Sequence, residues 1–228
     1  MKLRLLAAAL AALTLTAGAA FAQDTTSEKG KLSYALGYQL GRQAAESGEA
    51  LDVATMTRAL QDGFAKKEPA VPMEQMGNAY EGMQQRLQAK AKSAYEKAAG
   101  ENKAKSDTFL AQNKAKAGVK TLPSGVQYRV IEAGAGAKPT QASTVDLEVA
   151  GPFPWGQHPQ QAQPPQKMSA LKLSGIEMPA MREALLQMPA GAKWEIALPP
   201  EKAYGADPRT GFPPNVAVVF EVKLLSVK

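Results

Sequence analysis

Few side chains in this sequence could do chemistry, and the most promising of them are aromatic. The 228 residues include no cysteine and one histidine, His158, and no carboxylates cluster at the spacing of metal ligands. Thiol chemistry and disulfides are therefore excluded, and we expect neither a metal nor a cofactor. The sequence also lacks the glycine patterns of nucleotide-binding loops and the GxSxG motif of serine hydrolases.

Two aromatic residues near the C-terminus stand in local patterns that predict how their side chains are placed. Tyr204 lies in a loop rich in glycine and proline. A buried phenol there needs a hydrogen-bond partner, so we expect a donor role. Phe220 alternates with Val218 and Val222, which predicts the inner face of a strand. Both patterns are also compatible with ordinary packing, so the elements around them must decide.

The start of the chain predicts export. Lys2 and Arg4 precede an apolar run, and Ala20-Phe21-Ala22 forms a small-x-small cleavage site. This is the pattern of a secretory signal peptide removed after Ala22, and it is too short for a membrane span. We therefore expect a periplasmic protein without a membrane span. Removal lowers the formal net charge from +6 to +4, and the remaining basic residues are dispersed, which disfavours a nucleic-acid site.

Residues 25–117 have a helical pattern. Ser27 and Asp52 are candidate N-caps of two helices, and Pro72 opens a third helical stretch. This stretch carries an apolar stripe at steps of three and four: Met73, Met76, Tyr80, Met83 and Leu87. The helix would be on the order of 60 Å long, too long to bury its stripe within its own chain. We predict a homodimer through the N-terminal helices, with the polar end of the long helix standing in water as a stalk. A monomeric three-helix unit is the alternative.

From Gly118 onward, short alternating segments with glycine and proline between them predict an antiparallel sheet with one helix beginning at Pro179. The fold class is therefore α+β. The predicted organisation is a signal peptide (1–22), a helical dimerisation segment (23–72), a long stalk helix (73–117) and an α+β domain (118–228).

Four segments carry a specific resemblance. FLAQNKAKAGVKTLPSGVQYRVIEAGAGAKP (109–139), ALLQMPAGAKWEIALPPEKAYG (184–205) and FPPNVAVVFEVKLLSV (212–227) resemble FKBP-type peptidyl-prolyl cis-trans isomerases. KLSYALGYQLG (31–41) resembles the helical N-terminal domain of the Mip/FkpA subgroup. The resemblance implies a V-shaped homodimer with an all-helical dimerisation domain and a stalk helix. Each chain would end in an antiparallel half-barrel wrapped on one short helix.

The activity that this resemblance implies needs no nucleophile. An X–Pro peptide bond rotates over a barrier of about 18–20 kcal/mol, which partial double-bond character maintains. An apolar pocket favours the twisted amide, and one well-placed donor to a substrate carbonyl fixes the pose. Uncatalysed rotation is slow enough to limit the folding of an exported protein.

The resemblance also implies site residues. Tyr204 and Phe220 match the family's catalytic tyrosine and pocket-wall aromatic, and Phe212 lies on the loop that overhangs the pocket. Other positions depart from the family pattern: Val149 replaces a pocket tyrosine, Leu171 a phenylalanine and Met181 the tryptophan of the pocket floor. Met178 takes an aliphatic position before it, and the expected Phe-Asp pair is absent.

The segment GPFPWGQHPQQAQPPQ (151–166), called the insert below, stands where that Phe-Asp pair is expected. Its five prolines argue against a strand and predict a semi-extended flap over the pocket. We expect Phe153 and Trp155 to fold back and replace the lost aromatic surface. The alternative is a proline-rich ligand for another protein.

Two functions remain open on this reading. The first is a peptidyl-prolyl isomerase for unfolded or proline-containing exported polypeptides, with activity reduced by the altered pocket. The second is a catalytically weak or inactive dimeric periplasmic chaperone.

Overall fold

The computed structural model describes residues 24–161 and 163–228. The predicted signal peptide, residues 1–22, lies outside these ranges. The chain forms two compact units that divide between Gln84 and Gln85, within one long helix. The first unit is helical, and the second combines helix with an antiparallel sheet. The predicted α+β fold class is confirmed.

The first unit contains helix α1 (Glu28–Glu46), helix α2 (Val53–Phe64) and the beginning of helix α3 (Met73–Lys114). Both predicted N-caps are confirmed: the Ser27 hydroxyl accepts from the Gly30 N–H, and the Asp52 carboxylate accepts from the Thr55 N–H. These caps satisfy backbone donors that a helix start leaves free.

Much of the apolar surface of the first unit faces water in the single chain. The exposed large side chains include Leu32, Tyr34, Leu36, Tyr38, Val53, Leu60, Phe64, Met73 and Tyr80. Phe64 has 93% of its surface exposed. A contiguous apolar surface of this kind marks an interaction site in a soluble protein.

Within its described residues, the second unit contains six strands, three short 3-10 helices and one further α-helix. The strands are β1 (Val119–Thr121), β2 (Gln127–Glu132), β3 (Thr144–Pro154), β4 (Gln166–Lys172), β5 (Lys193–Leu198) and β6 (Val218–Val227). All neighbours pair antiparallel in the order β1-β2-β5-β6-β3-β4. Helix α4 (Pro179–Leu185) begins at the predicted proline.

Strand β6 is buried along its inner face and, near its beginning, on its outer face as well. Val218, Phe220, Val222 and Leu224 belong to the main core, together with Ala180, Met181, Ala184 and Leu185 of α4. Val219, on the opposite face, is also buried, with 3% of its surface exposed. A Cβ at Gly156 would lie 3.5 Å from both Phe109 of α3 and Val219, so the end of α3 helps to cover this second face.

Most side chains at the polar end of α3 are exposed, but one face of this segment is docked on the sheet domain, which the prediction of a stalk standing in water missed. This face docks on the sheet domain through hydrogen bonds from Tyr95 to the Ala206 carbonyl (2.8 Å), from Asn102 to the Pro214 carbonyl (2.9 Å) and from Asn113 to the Gln127 side chain (3.0 Å). The apolar stripe could not reveal this contact because polar side chains make it. Tyr95 and Asn102 lie seven positions apart, and therefore on one face of the helix.

The insert also differs from its prediction at its first residues. Strand β3 continues through Gly151–Pro154, where Phe153 pairs with Val219 and Pro154 with Val218. The ladder shifts register between Ala150 and Phe153, and such a bulge is one of the places where a sheet tolerates proline. Gly151 has φ 119°, and a Cβ there would come within 2.8 Å of the Val219 carbonyl oxygen, so glycine is required.

Candidate active site

The candidate pocket lies on the inner face of the sheet. Phe220 and Met181 are buried in the core cluster, and five further predicted site residues pack against the same cluster: Val149, Leu171, Met178, Tyr204 and Phe212. Trp155 also touches this cluster, whereas Phe153 does not belong to it. The fold therefore gathers on one apolar face most of the residues that the sequence singled out.

Phe220 lies on the inner face of the sheet, between two neighbouring strands. It pairs with Ile196 of β5, which is fully buried. On its other side β3 passes so closely that a Cβ on Gly151 would lie 3.1 Å from the Phe220 ring. Val149 pairs with Val222, and cross-strand partners share a face. Val149 therefore lies on the same inner face as Phe220.

The loop after β5 presents Tyr204 together with Phe212. Their rings stack with centroids 4.4 Å apart and planes 24° apart. Two backbone hydrogen bonds fix the loop: the Gly205 N–H donates to the Pro200 carbonyl and the Asn215 N–H donates to the Gly205 carbonyl, both at 2.8 Å. Both hydrogen bonds are made by Gly205, so the backbone is fixed at the residue that follows Tyr204.

The Tyr204 hydroxyl is available as a donor. Burial raises the pKa of this phenol above its ordinary value, so it stays protonated at neutral pH. No residue in the described ranges accepts or donates a hydrogen bond at this hydroxyl. The carbonyl group of a bound ligand could therefore accept a hydrogen bond from this neutral O–H without displacing another acceptor in the described part of the chain.

The start of α4 adds a second donor, which the sequence analysis missed. The Met178 carbonyl accepts from the N–H groups of Met181 and Arg182, whereas its own N–H makes no hydrogen bond within the described residues. Pro179 at the first helical position has no N–H to offer. Side-chain types could not reveal this donor because it belongs to the backbone. Met168 and Ile176 also pack against the core here and were not predicted.

The aromatic residues of the insert do not take the positions that we predicted for them. Phe153 pairs with Val219, on the face opposite Phe220, and its ring lies 4.1 Å from that of His158. The one-residue shift after Ala150 is the reason, because it moves every following side chain to the other face of the sheet. Without it, Phe153 would share a face with Val149.

Trp155 is bound to α3. Its indole N–H donates to the Ser106 hydroxyl at 2.9 Å, and the Lys105 ammonium lies 3.5 Å from the ring centroid. The polar edge and one face of the indole are thus occupied by the helix. The insert therefore supplies no aromatic ring that stacks on Tyr204 or Phe212 within the described residues.

The described residues form a candidate apolar site whose candidate donors, the Tyr204 hydroxyl and the Met178 N–H, are neutral. Family models match both parts of the chain. One describes the domain amino terminal to FKBP-type peptidyl-prolyl isomerase and matches residues 29–130, and the other describes FKBP-type peptidyl-prolyl cis-trans isomerase and matches residues 136–225.

Among curated relatives, the outer membrane protein MIP of Legionella longbeachae is 37% identical over 233 residues, which covers 100% of this chain and 99% of the relative. The isomerase FkpA of Escherichia coli O6:H1 is 32% identical over 228 residues, covering 97% of this chain and 82% of the relative.

A crystal structure of Escherichia coli FkpA is similar to this fold with a TM-score of 0.66 and 30% identity, over 89% of this chain and 98% of that one. The chain belongs to the FKBP-type peptidyl-prolyl cis-trans isomerase family, and it is an isomerase with a helical N-terminal domain. Within this family it is similar to members named Mip and FkpA. No helix within the described ranges is long and apolar enough to cross a membrane.

Proposed function

We propose that this isomerase acts on X–Pro bonds of exported polypeptides and that its altered pocket lowers its turnover. The observation that carries the proposal is the unpaired, neutral hydroxyl of Tyr204, whose ring stacks on Phe212 and packs against the apolar core that contains Phe220. An exported folding factor meets chains in which cis prolines rotate over tens to hundreds of seconds, so even a modest acceleration matters.

In this proposal the pocket acts by shape and desolvation. The proline ring packs on Phe220 and displaces water. The planar amide is more polar than the twisted amide, so the loss of water destabilises the planar amide and weakens the conjugation that holds it planar. Tyr204 and the Met178 N–H are the candidate donors to substrate carbonyls, which fix the rotating bond in place. Each 1.36 kcal/mol taken from the barrier gives a factor of ten in rate.

The reduced turnover follows from side-chain substitution. Val149, Leu171 and Met181 supply aliphatic surface at three positions where the family resemblance implies aromatic rings. Aliphatic chains offer less flat surface to a proline ring, and methionine is adaptable where tryptophan is rigid. We therefore place this chain among isomerases that bind a proline loosely.

Refolding experiments test the proposed function. We expect the mature protein to accelerate a proline-limited refolding phase of a model substrate, with a rate that rises in proportion to the protein concentration. A parallel aggregation assay measures chaperone activity on the same substrate. Suppressed aggregation without any acceleration of the proline phase would contradict the isomerase proposal and favour the dimeric chaperone.

We also propose that the chain works as a periplasmic homodimer after removal of residues 1–22. The support is the exposed apolar surface of the first unit, which includes a groove of about 280 Å³ lined by Leu40, Leu51, Val53, Met56 and Leu60. Such a groove accepts apolar side chains of a second copy. The full-length match to a relative named an outer membrane protein is consistent with an envelope location.

Leu36→Lys is expected to dissociate the dimer. Leu36 has 61% of its surface exposed in the single chain, so lysine would be harmless there if α1 faced water. At a dimer interface the same charge would be buried without a partner, which is costly. Light scattering at several concentrations measures the mass. Gln39→Lys, at an exposed polar position of α1, is the matched control, and a monomeric wild type would refute the proposal.

A further inference from the structure

A buried hydroxyl on α3 forms a junction between three parts of the second unit. Ser106 is fully buried. Its hydroxyl donates to the Asn215 carbonyl at 2.9 Å and accepts from the Trp155 indole at 2.9 Å and from the Ala217 N–H at 2.8 Å. One donor and two acceptors are all that a serine hydroxyl has, so this group is saturated. It joins the insert, the start of β6 and the loop before it.

Asn215 carries this junction to the pocket. It has φ 55°, and its side chain donates to the Ala99 carbonyl of α3 at 3.2 Å. Its own N–H donates to the Gly205 carbonyl, one residue beyond Tyr204. Asn215 also lies three residues after Phe212, which stacks on Tyr204. A continuous path of hydrogen bonds thus runs from Trp155 through Ser106 and Asn215 to the neighbour of Tyr204.

Further contacts hold the same loop on the same face of α3. Tyr95 donates to the Ala206 carbonyl and Asn102 donates to the Pro214 carbonyl. Together with Ala99 and Ser106, these residues follow steps of four, three and four, which places them in one row along the helix. The whole loop that bears the pocket aromatics is therefore attached to α3 along this row.

We propose that Ser106 and Asn215 are positioning residues for Tyr204 and Phe212, and that the insert contributes to substrate binding through the hydrogen bond of Trp155 to Ser106. The inference rests on the isomerase function proposed above. When the junction is intact, the loop stays in the conformation that binds a substrate. When it is broken, only a fraction of molecules holds that conformation. The apparent affinity is then the intrinsic affinity multiplied by that fraction.

Two variants test the junction. Ser106→Ala removes the hydroxyl, and Trp155→Phe removes the indole N–H and reduces the ring size while keeping an aromatic ring beside Lys105. For both we expect KM for an X–Pro peptide to rise by roughly threefold to tenfold with kcat within about twofold of wild type, because the bound state is unchanged. Ser93→Ala, at an exposed position of the same helix, should leave both constants unchanged.

Amide hydrogen exchange at Gly205 supplies an independent readout. This amide does not contact Ser106, so a purely local loss of packing would leave its exchange rate unchanged. We expect it to exchange about tenfold faster in both variants, because the loop opens more often. Unchanged exchange at Gly205, or a fall in kcat at constant KM, would overturn the proposal. If wild type proved inactive on every peptide, the isomerase function would be wrong, and Gly205 exchange would still decide whether Ser106 holds the loop.

Discussion

Replacing Tyr204 by phenylalanine should lower kcat/KM for an X–Pro peptide by about tenfold and leave the melting temperature unchanged. The rate falls because the substrate loses one hydrogen bond, whose net value of about 1–1.4 kcal/mol corresponds to a factor of about five to ten. Stability is unaffected because the hydroxyl has no intramolecular partner in the described part of the chain. Phenylalanine also keeps the ring that stacks on Phe212.

Tyr128→Phe is the matched control for this experiment. Tyr128 packs against the same core but lies on β2, with its ring 4.2 Å from that of Trp194. Its loss of a hydroxyl should change neither kcat/KM nor stability. If Tyr204→Phe remained fully active in a folded protein, the hydroxyl would have no part in the site, and the Met178 N–H would be the remaining donor candidate.

Met181→Trp should raise kcat/KM severalfold while lowering stability. A rigid aromatic ring at this position provides the flat surface that the aliphatic pocket lacks, and we expect the gain because Trp155 of the insert is bound to α3 and does not stack on Tyr204 or Phe212. The cost arises because Met181 has only 8% of its surface exposed, and a larger side chain overpacks such a site by typically about 1–3 kcal/mol. Peptide isomerisation and thermal unfolding measure the two effects.

Val149→Tyr, alone and combined with Met181→Trp, tests whether a gain in rate comes from aromatic surface in the pocket or from a general loss of stability. Val149 is partly exposed on the inner face, so the added ring costs less stability there. Met188→Trp is the packing control, since Met188 is fully buried in the same cluster but is not a predicted pocket residue. A gain in rate from Met188→Trp, or none from either pocket variant, would contradict the view that missing aromatic surface limits turnover.

The fold was predictable because its signals are local. Ser27 and Asp52 are caps whose oxygen atoms reach backbone groups three residues away, and Pro179 is a helix start that depends on its own geometry. The alternation around Phe220 reports the faces of β6 directly. The assignment of Tyr204 and Phe220 to a pocket rested on the family motif, and the structure places both residues in or against one apolar cluster.

Two features could not be predicted because each depends on residues distant in sequence. The bulge after Ala150 is specified by the partner strand β6, and it alone decides which face Phe153 occupies. The docking of α3 depends on carbonyl groups of Ala206, Pro214 and Asn215, more than a hundred positions along the chain. Neither a hydrophobic stripe nor a proline count contains that information.

The burial of Val219 on the outer face of β6 bears on which part of this protein can be separated and still remain soluble. The family domain matched at residues 136–225, like any fragment that starts at Gly118, lacks the helix that helps to cover Val219. Such a fragment would expose apolar surface at Val219, on the outer face of its sheet, and would tend to associate. The smallest fragment that we expect to stay soluble therefore starts near Gln85 and keeps about eight turns of α3, which help to cover this face of the sheet. Evolution and engineering alike would have to move that helix with the sheet.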